Sequence, residues 1–283
     1  MTSRYSYGGD EHIFVECDEE MSLEAFFKSL SITKAVREAQ INGVTEICPA
    51  NASLQIKFDP DIIKPDDMMR ELKSIEAAVG QVHSTLKTRI IEIPVLYNDP
   101  WTRETLMRFR DRHQAPEMTD IEYTAKINHL DGIEGFIKAH SQAPWFVSMV
   151  GFVAGLPFLY QMVDRKRQIQ SPKYLRPRTD TPKLTVGHGG CFGCIYSVRG
   201  AGGYQMFGIT PMPIYDPIRR SNICAISCAS SIRGTSSNGV RSIAPSTTVF
   251  APTWRPASLL RRWPTSIFRS THSTPTSTAP TPN

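Results

Sequence analysis

The sequence predicts an α+β protein made of two domains and an irregular C-terminal tail. In residues 5–95, short apolar strands alternate with two amphipathic helical patterns, as they do in α+β domains. Residues 177–211 contain glycines too dense for a helix, set between short apolar runs, which predicts a mainly β second domain over residues 96–217. Residues 218–283 hold 13 Ser, 10 Thr and eight Arg without any acidic residue or strand period, so we expect them to be disordered.

The first domain, residues 1–95, follows the ferredoxin-like plan of two helices over a small antiparallel sheet. Ser22 is placed to cap the first helix, and Pro65 opens the second, which should stop at Gly80. The runs rich in apolar and β-branched residues predict strands at His12–Val15, Glu46–Ala50, Ser53–Phe58 and Arg89–Val95.

The second domain begins with three predicted helices. They are expected at Thr102–His113, Thr119–Leu130 and Asp131–His140. Thr119 and Glu122 have the spacing of a capping box. A buried strand at Phe146–Val150 should then lead into a loop at Gly151–Pro157.

Charge is distributed unevenly along the chain. The net charge of +5 includes a tail with eight Arg and no Lys, so residues 1–217 carry 24 basic against 27 acidic residues. This mildly acidic body argues against a nucleic-acid partner. No apolar run reaches the roughly 18 residues of a membrane span, and the N-terminus lacks an apolar signal core. We therefore expect a cytoplasmic protein without a membrane partner.

Short motifs in residues 177–211 match one known family without a gap. They are Pro177-Arg178-Thr179, Val186-Gly187, Gly190, Ile195-Tyr196, Gly202-Gly203 and Gly208-Ile209-Thr210-Pro211. Residues 149–159 match a second motif, a Gly-Phe loop. Over roughly residues 4–217 the chain resembles the allophanate hydrolase subunit 1 family. That family includes the B component of 5-oxoprolinase, a bacterial kinase-inhibitor protein and one half of the carboxyltransferase domain (subdomains C and D) of urea carboxylase.

The resemblance implies a cyclophilin-like β-barrel for residues 96–217 and again a ferredoxin-like first domain. Departures from the family pattern lie at the centre of the second motif region. Cys191-Phe192-Gly193-Cys194 replaces Gly-Gln-Thr-Gly, His188 replaces Ile, Ala154 replaces Pro and Tyr204 replaces Trp. Because side chains that could hydrogen-bond a small amide are lost there, the family's substrate does not transfer directly.

Arg178 is the strongest candidate for binding a ligand. Its guanidinium follows a stiff proline and suits a carboxylate or phosphate, although an ion pair with an acidic residue would equally explain it. Glycines of the matching loops would let a substrate approach the backbone closely. The substrate-binding set implied by the resemblance comprises Arg178, Gly151, Phe152, Gly155, Gly190, Gly202, Gly203 and Tyr204.

Histidines and cysteines offer further chemistry. His140 and His188 are candidate general bases, each with the alternative of a structural histidine. His188, Cys191 and Cys194 have a spacing that could serve zinc or redox chemistry, but a second ligand pair is missing. Small buried residues in a tight glycine loop explain the cysteines better, so we predict no metal site.

The resemblance implies one part of a two-component, ATP-dependent amidohydrolase that acts on a cyclic amide or acyl-urea C–N bond. The homologous partner would be an allophanate-hydrolase-subunit-2-like chain. No phosphate-binding loop or biotin-acceptor Met-Lys-Met is present, so this chain alone should bind no cofactor, and ATP would belong to the assembled complex. The alternatives are a biotin-dependent carboxyltransferase half and a non-catalytic inhibitor of a histidine kinase.

The tail, residues 218–283, is interpreted as a frameshifted translation of the family's own C-terminus. Family members continue after the Asp-Pro pair, matched by Asp216-Pro217, with Tyr-Leu-Arg-Asp-Phe and then Pro-Gly-Asp-x-Val. Codons permitted for residues 222–229 and 232–240, started on the third base, allow His-Leu-Arg-Asp-Phe and Pro-Gly-Asp-Ile-Val. A natural, disordered basic tail is the alternative.

Overall fold

A computed structural model of the chain describes residues 2–79, 90–216 and 231–232. Its helices are α1 (Leu23–Ala39), α2 (Pro65–Val79), α3 (Pro100–Phe109), α4 (Asp120–Ile127) and α5 (Gly132–Ser141). The first strands are β1 (Arg4–Tyr7), β2 (His12–Glu16), β3 (Val44–Ala50), β4 (Ser53–Phe58), β5 (Ile90–Ile91), β6 (Leu96–Tyr97) and β7 (Trp145–Val150). The remaining strands are β8 (Pro157–Gln161), β9 (Arg178–Thr181), β10 (Thr185–Gly189), β11 (Phe192–Ile195), β12 (Gly200–Gly202), β13 (Gln205–Ile209) and β14 (Ser231–Ile232).

The N-terminal part is a four-stranded antiparallel sheet in the order β1-β2-β4-β3, with α1 and α2 packed against it. Alternating residues of the two central strands, such as Val15 and Ile56, are fully buried against the helices. Ser22 caps α1 as predicted, because its side chain accepts a hydrogen bond from the Ala25 N–H at 3.0 Å. Pro65 opens α2 as predicted.

The last predicted strand of this domain is wrong in its position. Of residues 89–95, Arg89 lies outside the described residues, and Ile90–Ile91 joins the second sheet rather than the first. The edge of the first sheet is taken instead by β1, which the sequence pattern missed. A turn with Gly9 at φ 68°, closed by the Gly8 N–H donating to the His12 carbonyl at 2.8 Å, folds β1 back along β2.

The second part is an eight-stranded sheet in the order β5-β14-β7-β8-β11-β10-β13-β6, accompanied by the two-stranded sheet β12-β9. Its pairs are antiparallel except β14 with β5. Helices α4 and α5 pack on one face and contribute to the larger apolar core, which also holds Ile93 and Val95. The chain is therefore a mixed α/β protein with several antiparallel sheets and few helices.

Local signals set the helices of this part. Asp99 accepts hydrogen bonds from the N–H groups of Trp101 and Thr102, so α3 begins at Pro100, and it gives way to a 3-10 turn at Arg110. The predicted capping box at the start of α4 is confirmed, with both the Thr119 and the Glu122 side chain bonded to the reciprocal backbone N–H.

Almost the whole tail, residues 217–230 and 233–283, lies outside the described residues. Its two described residues, Ser231–Ile232, form β14 between β5 and β7, which corrects the expectation that residues 218–283 are irregular throughout. Backbone pairing with Trp145 and Phe146 supplies the order there, and composition does not reveal such pairing.

The two sheets are tied together by specific contacts. Ser148 Oγ donates to Asn51 Oδ1 at 2.7 Å, and the Phe26 and Phe146 rings meet edge to face at 4.8 Å. Within the described ranges, no helix combines the length and the apolar character required to cross a bilayer.

Candidate functional site

Arg178 lies at the start of β9 with none of its surface exposed. Its Nε donates to Thr181 Oγ1 at 3.3 Å, whereas Nη1 and Nη2 have no hydrogen-bond partner. Its Cζ lies 4.3 Å from the centre of the Tyr174 ring. No described carboxylate forms a salt bridge with it, so the ion pair that would make Arg178 purely structural is not present among these residues.

A buried guanidinium cannot lose its proton, so its charge must be stabilised by its surroundings. Two unpartnered nitrogens leave a planar set of donors of the kind that binds carboxylates and phosphates in a bidentate manner. The site therefore has the chemistry of an anion-binding centre.

A network of buried polar groups surrounds the Tyr174 side of this arginine. The Tyr174 hydroxyl lies 2.7 Å from Oδ1 and 2.9 Å from Oδ2 of Asp120, and the Met206 N–H donates to Oδ2 at 2.5 Å. Burial raises the pKa of Asp120, while the Met206 hydrogen bond and the nearby Arg178 charge oppose that rise. His113 Nε2 hydrogen-bonds Gln205 Oε1 at 2.8 Å and lies 3.6 Å from Asp120 Oδ1.

Glycines of the predicted set line the backbone beside Arg178. Gly202 pairs with Arg178 across β12 and β9, and a Cβ on Gly202 would lie 2.4 Å from the buried Tyr196 hydroxyl oxygen. The Gly203 carbonyl accepts a hydrogen bond from the Tyr174 N–H at 2.7 Å. A side chain at Gly202 would displace an aromatic wall of the site, which explains the need for glycine there.

Tyr204 and Gly190 lie further along the same strands. The half-buried Tyr204 ring packs edge to face on Phe158, with Lys173 Nζ 5.6 Å from its centre. Gly190 has φ 64° and bridges to Ser171 at the turn between β10 and β11. The structure therefore brings Gly202 and Gly203 to Arg178, whereas Gly190 lies at a separate turn.

The loop between β7 and β8 presents an exposed aromatic side chain. Phe152 is 67% exposed and has φ 68°, a conformation that bulky residues rarely adopt. The Val153 N–H donates to the Gly151 carbonyl at 2.8 Å, which closes a strained three-residue turn around Phe152. Gly155, at φ 74°, lies so close to the Tyr215 ring that a Cβ would be 2.3 Å from it.

This loop reaches the Arg178 region through one apolar cluster. Its buried members are Leu156, Cys194 and Tyr196, with Val153, Phe158 and Tyr204 packed against them. Ser197 Oγ also donates to the Ala154 carbonyl at 2.6 Å, which fixes the loop beside the end of β11.

His188 and His140, the two candidate bases, lie elsewhere, among the residues of the apolar core. His188 Nε2 hydrogen-bonds the Ile169 carbonyl at 2.9 Å, and His140 Nδ1 meets the Tyr97 hydroxyl at 2.8 Å. Burial lowers the pKa of His188 to about 4 and that of His140 to about 3, so both rings are neutral near pH 7. Their catalytic role stays a prediction, and the structure does not bring them to Arg178.

The cysteine motif does not converge. His188 pairs with Gly193, whose Cβ direction points to Trp145, and the His188 ring also meets Trp145 at 5.7 Å. Cys194, the next residue on β11, faces the opposite side because side chains alternate along a strand. No group of three metal-ligating side chains comes together in residues 2–79 and 90–216.

Three residues of the polar network escaped the sequence reasoning. Asp120 was hidden behind the capping box of its own helix, and Tyr174 and His113 stand in segments without a recognisable motif. Their contacts join residues 54 positions apart in the case of Asp120 and Tyr174. The only local signal was an aspartate directly after a capping threonine.

Comparison with known proteins identifies relatives of two kinds. The chain is 26% identical over 219 residues to urea amidolyase of Saccharomyces cerevisiae, which covers 76% of this chain and 12% of the relative. It is 28% identical over 229 residues to the B component of 5-oxoprolinase from Bacillus subtilis, covering 77% and 87%. The crystal structure of K. lactis urea amidolyase superposes with a TM-score of 0.71 at 23% identity, over 82% of this chain and 14% of that one.

The chain thus spans a small fraction of the urea amidolyases and most of the length of the Bacillus protein. Residues 3–226 match the family described as carboxyltransferase domain, subdomain C and D. This match covers well over half of the chain, and the relatives named as the B component of 5-oxoprolinase agree with it. The chain belongs to the carboxyltransferase subdomain C and D family, together with the B component of 5-oxoprolinase.

Proposed function

We propose that this chain is one component of a cytoplasmic, ATP-dependent amidohydrolase that opens the C–N bond of a small amide, with 5-oxoproline as the first candidate. Similarity to the B component of 5-oxoprolinase over most of that protein's length supports an activity of this type. The observation that carries the proposal is Arg178, a buried cation with two unpartnered nitrogens. A small substrate bearing a carboxylate would satisfy both donors.

In this proposal Arg178 binds and orients the substrate through its anionic group. Gly202 and Gly203 let the substrate approach the backbone, and the rings of Tyr174 and Tyr196 exclude water. Exclusion of water strengthens the arginine–carboxylate interaction. The described residues therefore supply binding and orientation.

The described residues do not fit ATP. Gly200–Gly202 is a strand paired with β9, so its backbone N–H groups do not form the loop before a helix that cradles phosphates. We assign the ATP site to the assembled complex and derive no step of the reaction through it here. Biotin, under the carboxyltransferase alternative, would also be carried by another chain.

The partner in this proposal is a homologous allophanate-hydrolase-subunit-2-like chain. Relatives from three bacteria are each named as a single lettered component of 5-oxoprolinase, which supports a multi-subunit enzyme. Arg178 stands without a water-activating group beside it, because the buried histidines lie in the apolar core. The partner would complete the cleft and supply that group.

Reconstitution with the partner tests the proposal. We expect the isolated chain to hydrolyse neither 5-oxoproline nor allophanate, and the mixture of both components to consume 5-oxoproline only when ATP is present. The control is the mixture without ATP. Turnover by the pure chain, or a correctly assembled pair that leaves 5-oxoproline intact, would contradict the proposal.

The carboxyltransferase half of a biotin-dependent enzyme is the second candidate. It is favoured by the family match and by the superposition on K. lactis urea amidolyase. Co-purification with a biotinylated protein, followed by transfer of its carboxyl group to a small acceptor, would establish this function instead. Failure of both steps would leave the hydrolase proposal in place.

For the architecture, we propose a ferredoxin-like first domain and a cyclophilin-like second domain. Two separate apolar cores support this division. Since Ile93 and Val95 pack in the second core, the boundary predicted at residue 95 should be moved to a point before Ile90.

The frameshift also remains a proposal. Most of residues 218–283 lie outside the described residues, and the family match ends at residue 226. Sequencing the gene decides the matter, because codons that forbid the shifted segments would rule it out.

A further inference from the structure

We propose that Asp120 and Tyr174 are positioning residues, which hold the Arg178 guanidinium so that both Nη groups face the ligand. This inference rests on the proposed role of Arg178 as the ligand-binding group. It assigns to two residues outside the matching sequence motifs the task of orienting one residue inside them.

Hydrogen bonds alone do not fix the Arg178 side chain. Its single bond, from Nε to Thr181 Oγ1, is long at 3.3 Å and leaves the plane of the guanidinium free to tilt about that contact. The closest defined surface is the Tyr174 ring, whose centre lies 4.3 Å from Cζ. A cation at this distance from an aromatic centre is attracted to the ring. The orientation of Arg178 therefore depends on where the Tyr174 ring lies.

Tyr174 is fixed at both ends. Its backbone N–H donates to the Gly203 carbonyl at 2.7 Å, and its hydroxyl lies within 2.9 Å of both Asp120 oxygens. A phenol anchored to a carboxylate cannot swing without breaking a charge-assisted hydrogen bond. The ring is thus a rigid platform for the guanidinium.

Asp120 is itself held in place. It is the first residue of α4, directly after the capping Thr119, and it accepts the Met206 N–H of β13. Only 2% of its surface is exposed. Its negative charge also lies on the far side of the Tyr174 hydroxyl from Arg178, where it partly compensates the buried positive charge without occupying the Nη donors.

A purely structural role makes a different prediction. If the Asp120–Tyr174 contact only joined α4 to the neighbouring strands, its loss would lower the free energy of unfolding without changing the motion of Arg178. Loss of a positioning contact changes that motion in the folded protein.

The first experiment follows the Arg178 side chain by nitrogen-detected NMR of the free chain, with its signals assigned by Arg178→Lys. In Tyr174→Phe we expect rotation of the guanidinium about its Cζ–N bonds to become at least about threefold faster, since the anchoring hydrogen bond is gone. Tyr123→Phe is the matched control, because the Tyr123 ring packs on His113 at 5.0 Å without contacting Arg178. Unchanged Arg178 rotation in Tyr174→Phe would overturn the proposal.

Asp120→Asn gives an independent variant if Tyr174→Phe does not fold. The weaker, uncharged acceptor should speed Arg178 rotation in the same direction as Tyr174→Phe. A folded Asp120→Asn protein with wild-type rotation would also overturn the proposal.

The second experiment is a double-mutant cycle in the assembled complex with 5-oxoproline as substrate. Tyr174→Phe should raise KM by about fivefold when Arg178 is present and by less than about twofold in Arg178→Lys, because its effect passes through the arginine. Equal factors in both backgrounds would refute positioning. A wild-type complex that does not turn over 5-oxoproline would contradict the proposed function, while the NMR result would still decide the role of Tyr174.

Discussion

The two buried basic centres of the second part, Arg178 and His188, differ in one decisive property. Each is fully buried and each has a side-chain nitrogen without a hydrogen-bond partner. His188 avoids the cost by staying neutral, because burial lowers its pKa to about 4. Arg178 cannot do so and keeps its charge in the interior. The comparison teaches that burial alone does not identify a ligand site, whereas a buried charge that cannot be neutralised does.

The largest expected effect concerns the neutral histidines. An unfolded histidine takes up a proton near pH 6.5, but in the folded protein His188 does so only near pH 4 and His140 near pH 3. The unfolded state therefore binds more protons below pH 6.5, so stability is complete above that pH and falls as the pH decreases toward 4. The loss should be on the order of several kcal/mol at pH 4.

Urea unfolding of wild type and His188→Gln at pH 7 and pH 4.5 measures this loss. The glutamine amide can still donate to the Ile169 carbonyl but does not titrate, so the difference in unfolding free energy between the two pH values should shrink. An identical pH dependence in both proteins would show that His188 is not the neutral, buried group described here.

The next effect concerns the charged centre. Arg178→Ala should reduce kcat/KM of the assembled enzyme by about 10- to 150-fold, the equivalent of about 1.5–3 kcal/mol for a hydrogen bond to a charged group. Stability should change little or rise, because an uncompensated buried charge is removed. Arg199→Ala is the control, since Arg199 is exposed and pairs with Asp180. Unchanged activity with a lowered melting temperature would assign Arg178 to structure.

The smallest effect probes the wall beside Arg178. Gly202→Ala places a methyl group 2.4 Å from the buried Tyr196 hydroxyl oxygen and should cost about 1–3 kcal/mol of unfolding free energy. Gly200→Ala, on the same strand, meets nothing within 4 Å and should cost less than about 0.5 kcal/mol. Equal melting temperatures for the two variants would show that the Tyr196 wall yields easily.

Sequence reasoning succeeded where the determinants are local. The Ser22 cap and the Thr119 capping box depend on residues within one helical turn, and both are confirmed. It failed at residues 89–95, because either sheet could accept an apolar strand and long-range packing decides between them.

The same division holds for the candidate site. Arg178 stands in a recognisable motif, so the sequence could nominate it, but its lack of partners depends on a three-dimensional environment. Asp120 and Tyr174 meet only in the folded chain, across 54 positions. The histidines were nominated for their chemistry, and only burial shows that they are neutral.

The strained turn at Phe152 sets stability against recognition at a single position. A bulky residue at positive φ costs about 1–3 kcal/mol, a cost that glycine would largely avoid. The same turn holds an aromatic ring in solvent, on a loop fastened to the cluster that contains Tyr196. Selection for a more heat-resistant protein would therefore favour replacement of Phe152, and selection for a functional surface would retain it.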